Sequence, residues 1–414
     1  MLSLCPRSRA GYQRYRWLGV ALGTMMAATP TTAAEYYIQP TADLNAQVDT
    51  NLDLVVPPDT HRTEPGYGGD VGATIGVATP ASELTLLPEL GYADYPDSHT
   101  SATQEQLDFT AKSVSPRDRW NLWGRVDHRD TFSSELASAT FDPLNPNVPT
   151  TPETGRIAAD SKRTIVTVTP SYSYDLTPRT SVDVGAVYES AVYSGTSEFY
   201  TNYQYPQLNV DVGWALNPNA RASLGVYGSR YAANNGSSTI KAEGATLSLD
   251  LKHTQTFKAD FELSGEHDVN DTAINGAPQS ISATGLSAAM SGTWKFVRSQ
   301  VQLNIGRSFT PSGAGGKYRA DQFQVDYSYD LTPRLTAACA ARIARYVEIA
   351  SARNTGNYDY VNATAGLKWS MTRTWYVGGG IAYVRESFLA QNTAAADNSE
   401  AYLSIGYRGL GRRQ

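Results

Sequence analysis

The feature that most restricts this chain is an eight-residue segment that occurs twice, Tyr172-Ser-Tyr-Asp-Leu-Thr-Pro-Arg179 and Tyr327-Ser-Tyr-Asp-Leu-Thr-Pro-Arg334. Looser forms are Trp214-Ala-Leu-Asn-Pro-Asn-Ala-Arg221, Trp294-Lys-Phe-Val-Arg298 and Trp369-Ser-Met-Thr-Arg373. They predict tight turns near residues 80, 116, 178, 218, 254, 297, 333 and 372, at spacings of 36, 62, 40, 36, 43, 36 and 39. A period near 40 means one supersecondary unit repeated along the chain. Here the unit is a β-hairpin followed by a longer loop. The spacing of 62 contains one long insert, at about 131–160.

Alternation on both sides of the turns predicts strands. Val182, Val184, Ala186 and Tyr188 alternate with Asp183, Gly185, Val187 and Glu189; Phe257, Ala259, Phe261 and Leu263 alternate with Lys258, Asp260, Glu262 and Ser264. A period of two gives each strand one apolar and one polar face. That pattern suits a soluble sandwich with a dry core, and equally a membrane barrel with its apolar face on lipid. Three further features favour the barrel. Trp120, Tyr174, Trp214, Trp294, Tyr329, Trp369 and Trp375 sit at a fixed distance from the tight turns, in the apolar phase, as an interfacial girdle requires. Short turns alternate with longer connections at 51–66, 95–103, 131–160, 268–279, 309–318, 350–357 and 389–398. Most strand segments run 10 to 14 residues, the length of a tilted spanning strand. The expectation is an all-β chain, a transmembrane up-and-down antiparallel β-barrel. It has 18 strands from 38–50 to 398–409, or 16 if the outermost pair is excluded, with residues 35–40 as a short periplasmic lead-in.

Composition agrees. Charged residues are 18% of the chain, below the roughly 25% of soluble domains. There are 26 Tyr and 7 Trp, side chains that favour membrane–water interfaces. No apolar run reaches the ~18 residues of a spanning helix. At the N-terminus, Arg7, Arg9, Arg14 and Arg16 precede or border a short apolar stretch, Trp17 to Ala28, and small residues follow at 31–34. This reads as a signal peptide over 1–34, followed by a barrel over 35–410 and a basic tail over 411–414. Without residues 1–34 the formal charge falls from −6 to −10, which argues against a nucleic-acid partner. Cys5 leaves with the signal, so Cys339 stands alone without an intrachain disulfide.

No catalytic constellation is legible. The five histidines, 61, 99, 128, 253 and 267, are isolated from one another, and no His/Cys spacing suits zinc. Gly378-Gly379-Gly380 lies within a strand and no phosphate loop is present. The expectation is therefore no enzyme, no cofactor and no metal. Charges in the polar phase are the candidate pore-lining residues: Arg125, Asp127, Arg129, Asp183, Glu189, Asp211, Lys258, Asp260, Glu262, Asp326, Arg342 and Lys368. A charge facing lipid at mid-depth costs about 2–4 kcal/mol, so these belong inside. They serve either a wet pore or a structural salt-bridge network. The insert 131–160 either folds inward to constrict the lumen or covers its mouth.

The repeated turn, the Asp/Asn-rich first strand and the 36–43 residue hairpin period resemble the β-barrel porin 2 family of Gram-negative outer membranes. The resemblance covers about 38–410. It implies location in the outer membrane and a link to exopolysaccharide or capsule production. The implied function is a porin-like channel for polysaccharide export or polar solutes. The alternative is a non-conducting docking barrel in a secretion complex. Implied partners are outer-membrane lipid and lipopolysaccharide, the barrel assembly machinery, and polysaccharide or its secretion proteins. One departure concerns assembly: such barrels end on an aromatic residue, whereas this chain ends Gly-Arg-Arg-Gln and leaves Tyr407 as the internal candidate. Solute and oligomeric state are not fixed by the sequence.

Overall fold

The turn chemistry explains the hairpins. In a computed structural model, Thr177 Oγ1 accepts from the backbone N–H groups of Arg179 (3.2 Å) and Thr180 (3.0 Å). Thr332 does the same for Arg334 (3.2 Å) and Leu335 (3.0 Å). Thr79 and Thr372 close two more turns in this way, and Asn217 Oδ1 accepts from Asn219 N at 2.8 Å. A side-chain oxygen thus replaces a backbone acceptor, while proline at 178, 218 and 333 presets φ for the turn. The ladder shifts register beside Leu176, Leu331 and Leu216, and these bulge leucines point outward and are exposed.

The described residues are 34–52, 54, 63–131, 161–195, 200–233, 238–254, 256–274, 277–313, 315–349, 357–388 and 395–413. They form β1 (Glu35–Asp49), β2 (Glu64–Ala78), β3 (Ser82–Tyr95), β4 (Thr100–Val114), β5 (Asp118–Asp130), β6 (Lys162–Thr177), β7 (Thr180–Ser194), β8 (Tyr203–Asn217) and β9 (Ala220–Ala233). Then come β10 (Ser238–Thr254), β11 (Phe257–Ile274), β12 (Ala277–Lys295), β13 (Ser299–Ser312), β14 (Gly316–Thr332), β15 (Leu335–Ile349), β16 (Tyr358–Ser370), β17 (Trp375–Phe388) and β18 (Ala396–Arg408). Every strand pairs antiparallel with its sequence neighbours. β1 also pairs with β18, Thr41 opposite Arg408 through Asp49 opposite Glu400, which closes the cylinder. The 18 strands are those anticipated, and closure joins the two ends of the sheet, while β12 pairs with β13 only over Ala288–Lys295. The signal-peptide reading (all but Ala34) and nearly all of the insert fall outside the described residues.

Several boundaries differ from expectation, among them the connection foreseen at 309–318, most of which is ladder up to Ser312 opposite Gly316. Residues 35–40, anticipated as a lead-in, are strand: Tyr37 and Ile38 pair with Arg413 and Arg412, and Gln39 Nε2 donates to Gly409 O at 2.8 Å. β2 pairs with all six residues, from Glu35 opposite Ala78 to Pro40 opposite Ala73, and the C-terminal segment adds a second partner at Tyr37 and Ile38. The connections foreseen at 95–103 and 268–279 are mostly ladder, because hairpins β3–β4 and β11–β12 continue to Tyr95–Thr100 and Ile274–Ala277.

Side chains sort by face. Leu44, Val71, Leu90, Leu208, Val226, Leu247, Leu263, Leu286, Ile343, Ile381 and Leu403 are outward and exposed. On the inner face, aromatic rings lie against glycines: Tyr37 on Gly76, Tyr95 on Gly66, Tyr227 on Gly244 and Tyr376 on Gly406. A Cβ at Gly76 or Gly406 would overlap the ring, so these glycines are required by close approach.

Candidate functional site: the barrel lumen and its mouth

Cross-strand register carries one face around the whole cylinder. All seven girdle candidates, Trp120, Tyr174, Trp214, Trp294, Tyr329, Trp369 and Trp375, lie in the outward phase near the tight-turn end. Trp375 packs on Tyr407 with ring centroids 5.1 Å apart, and Phe257 on Trp294 at 5.3 Å. At the opposite end, the outward face turns charged. Arg307 pairs with Asp321 (2.5 Å) and Arg345 with Asp359 (2.7 Å), while Lys241 meets Asp271 (3.5 Å). On β16 the two borders, Trp369 and Asp359, are ten residues apart. At ~3.3 Å per residue and a tilt of ~40°, that is about 25 Å along the axis, the height of the apolar band of an outer-membrane barrel.

The twelve inner candidates lie in the opposite phase and form local ladders on several walls rather than one cluster. On the β4–β6 wall, Arg125 grips Asp108 with two bonds of 2.5 and 3.0 Å. Asp127 accepts from Arg129 Nε at 2.7 Å and from Arg163 at 3.3 Å. Asp183 takes Arg221 at 2.5 Å, and Glu189 accepts the Tyr203 hydroxyl at 2.7 Å. Asn209 donates to Asp211 at 2.7 Å, and Lys258 to Asp260 at 2.8 Å. Gln324 serves Asp326 at 2.9 Å and Arg342 donates to Gln322 at 3.4 Å. Lys368 sits 3.6 Å above the Tyr376 ring. Glu262 is exposed to the lumen, opposite Ser248 and Ala289. Most inner cations already hold a carboxylate.

Sequence reasoning missed what fills the mouth. The tip of the β13–β14 hairpin bends inward and reaches strands far away in the sheet. Thr201 N donates to Gly313 O at 2.7 Å, and the Tyr231 hydroxyl to Ser312 O at 3.1 Å. Lys317 Nζ lies 2.8 Å from both Glu266 Oε1 and Asp268 Oδ1 on β11. All three side chains are buried, at 1%, 3% and 1% exposure. By strict alternation Lys317 belongs to the outward phase of β14, so no periodicity argument could place it inside. A second segment, after β1, also turns in. Asn398 Oδ1 accepts from Thr50 N (3.0 Å) and Asn51 N (2.9 Å). Leu54, held at φ 48°, packs against both the Leu52–Tyr95–Ala102 cluster and the Tyr318–Tyr346–Tyr358–Tyr360 cluster on the far wall. A left-handed leucine is a strained conformation that the surrounding contacts must hold. The long insert stands on a closed base, Thr131 N to Ser161 O at 2.9 Å.

A closed cylinder that is apolar outside and charged inside, with aromatic and ionic borders, is a transmembrane up-and-down β-barrel. No known family profile matches the chain and no curated protein does. Among solved structures, it is similar to the outer membrane protein OpdK from Pseudomonas aeruginosa: TM-score 0.44, 12% identity, over 92% of this chain and 99% of that one. OccK2 (OpdF) of Pseudomonas aeruginosa, in complex with glucuronate, gives 0.45 and 10% over 91% and 98%. OccAB4 of Acinetobacter baumannii gives 0.43 and 9% over 93% and 99%. These values are too low to carry function from those proteins to this chain.

Proposed function

We propose that the chain is an outer-membrane channel that lets polar solutes pass along a hydrated, charge-lined lumen narrowed at its mouth. The observation that carries this reading is the inversion of faces. Exposed leucines and valines ring the outside over about 25 Å, while ion-paired carboxylates and arginines line the inside. Burying those charges in a dry core would be costly without pairing and hydration. An 18-stranded cylinder is wide enough to retain water, unlike an eight-stranded one filled by side chains. Passage needs no covalent step; selectivity comes from the width and charge of the lumen.

A second reading, a non-conducting docking barrel, is favoured by the buried Lys317 and Leu54 segments, which occupy the mouth from two sides. The finer polysaccharide role draws on the resemblance of the turn motif. Planar-bilayer recording of the purified chain separates the two: stepwise ohmic openings are expected for the channel, and silence at all voltages supports the docking barrel. Openings blocked neither by long neutral dextrans nor by acidic polysaccharide would count against polysaccharide export.

A further inference from the structure

A row of carboxylates at the mouth has no ion-pair partner among the described residues. Asp49 on β1 sits directly opposite Glu64 on β2 and Glu400 on β18. All three point inward and are more than nine-tenths buried, at 2%, 6% and 4% exposure. Direct cross-strand neighbours have Cβ atoms about 4.5–5.5 Å apart, and like charges in such pairs repel. Asp49 receives two neutral amide donors, Asn398 Nδ2 at 2.8 Å and Gln47 Nε2 at 3.2 Å. Among the described residues, the cations that face inward on β16–β18 and β1–β4 are Lys368, Arg408 and Lys112, all at the tight-turn end. None is level with this row.

A separate observation points to a missing donor. Glu64 Oε2 and Glu400 Oε1 are buried, and no described group donates to either. Three other buried acids on the inner face do have cations: Asp127 has two arginines, and Glu266 and Asp268 share Lys317. Buried carboxylate oxygens without partners are costly, so the two in this row, beside the Asp49 carboxylate, favour a positively charged occupant.

We propose that Asp49, Glu64 and Glu400 form a binding site for an organic cation bearing a primary ammonium group, a station for solutes entering from the loop end. This rests on the channel reading above. An ammonium offers three N–H donors, one for each carboxylate, in charge-assisted bonds. The Tyr95 ring, buried beside Gly66 and bonded through its hydroxyl to Gln47 at 2.6 Å, supplies an aromatic wall of the kind that attracts ammonium groups.

The test uses the full chain in planar bilayers carrying potassium chloride current, with spermidine added on either side. Spermidine is expected to block the current. Glu400→Gln and Asp49→Asn are each expected to raise the half-blocking concentration about tenfold, the loss of one charge-assisted bond. Both variants remove repulsion and retain hydrogen-bonding capacity, so they are expected to fold. Equal block of wild type and Glu400→Gln overturns the proposal and leaves conduction intact. Magnesium acting alone with the potency of spermidine and the same dependence on Glu400 also overturns it, in favour of a metal. If the barrel carries no current, the channel reading fails by itself, and calorimetric titration of spermidine into detergent-solubilised wild type and Glu400→Gln decides the site: tighter binding by wild type supports it, and equal or absent heats overturn it.

Discussion

Replacing Lys317 by alanine is expected to release the β13–β14 hairpin from the lumen and raise the single-channel current. Its ammonium is the one cation bonded to Glu266 and Asp268 among the described residues, and the three groups are almost wholly buried. Removing one partner of a buried ionic group costs about 3–5 kcal/mol, because the remaining charges lose their compensation. The interstrand ladder of β13 and β14 does not depend on this contact, so the loss falls on the docking of the tip against Thr201 and Tyr231. The barrel should therefore keep its mobility shift on heating in gel electrophoresis while its current grows. Replacing all three groups together, Lys317→Met with Glu266→Leu and Asp268→Leu, should restore a small current, since an apolar triad of similar volume seats as well as an ionic one. An unchanged current in Lys317→Ala would show that the hairpin is not the constriction.

Leu247→Arg is expected to destabilise the folded barrel in lipid vesicles by about 2–4 kcal/mol, and Glu243→Arg by no more than about 1 kcal/mol. Leu247 is exposed midway along the outward face of β10, whereas Glu243 is four residues nearer the charged border. The physical cause is depth: an arginine at mid-bilayer must desolvate or distort the lipid, and one near the headgroups need not. Urea titration of vesicle-inserted protein checks the difference between the two. Equal costs would mean that the outward face does not meet hydrocarbon at Leu247.

The hairpins were legible because each is encoded locally. Thr-Pro or Asn-Pro sets the turn, and alternation such as Val182, Asp183 and Val184 sets the faces on either side. Aromatics before the turn, such as Trp214 and Trp369, then indicate the membrane border. The inner candidates fell in one phase for the same reason, since parity propagates unbroken through every ladder. What escaped the sequence is long-range and irregular. Lys317 lies inside against its parity because the hairpin bends away from the cylinder wall. Leu54 reaches two walls from a loop with no periodic signal. The strand at Glu35–Gln39 continues the β1–β2 hairpin as far as Glu35 opposite Ala78, although Pro40 beside it reads locally as a break. The Asp49–Glu64–Glu400 row needs a register across the closing seam between β1 and β18, which alternation within single strands does not supply.

The orientation of the two faces is tested most directly by cysteine accessibility along β11, with Cys339 replaced by serine. Single cysteines at Asp260, Phe261, Glu262 and Leu263 in outer-membrane vesicles would be treated with a charged, water-soluble maleimide. Labelling at 260 and 262 with protection at 261 and 263 is the expected result, because Asp260 and Glu262 face a wet lumen and Phe261 and Leu263 face lipid. The reverse pattern, with 261 and 263 labelled and 260 and 262 protected, would contradict a barrel that is apolar outside and hydrated within.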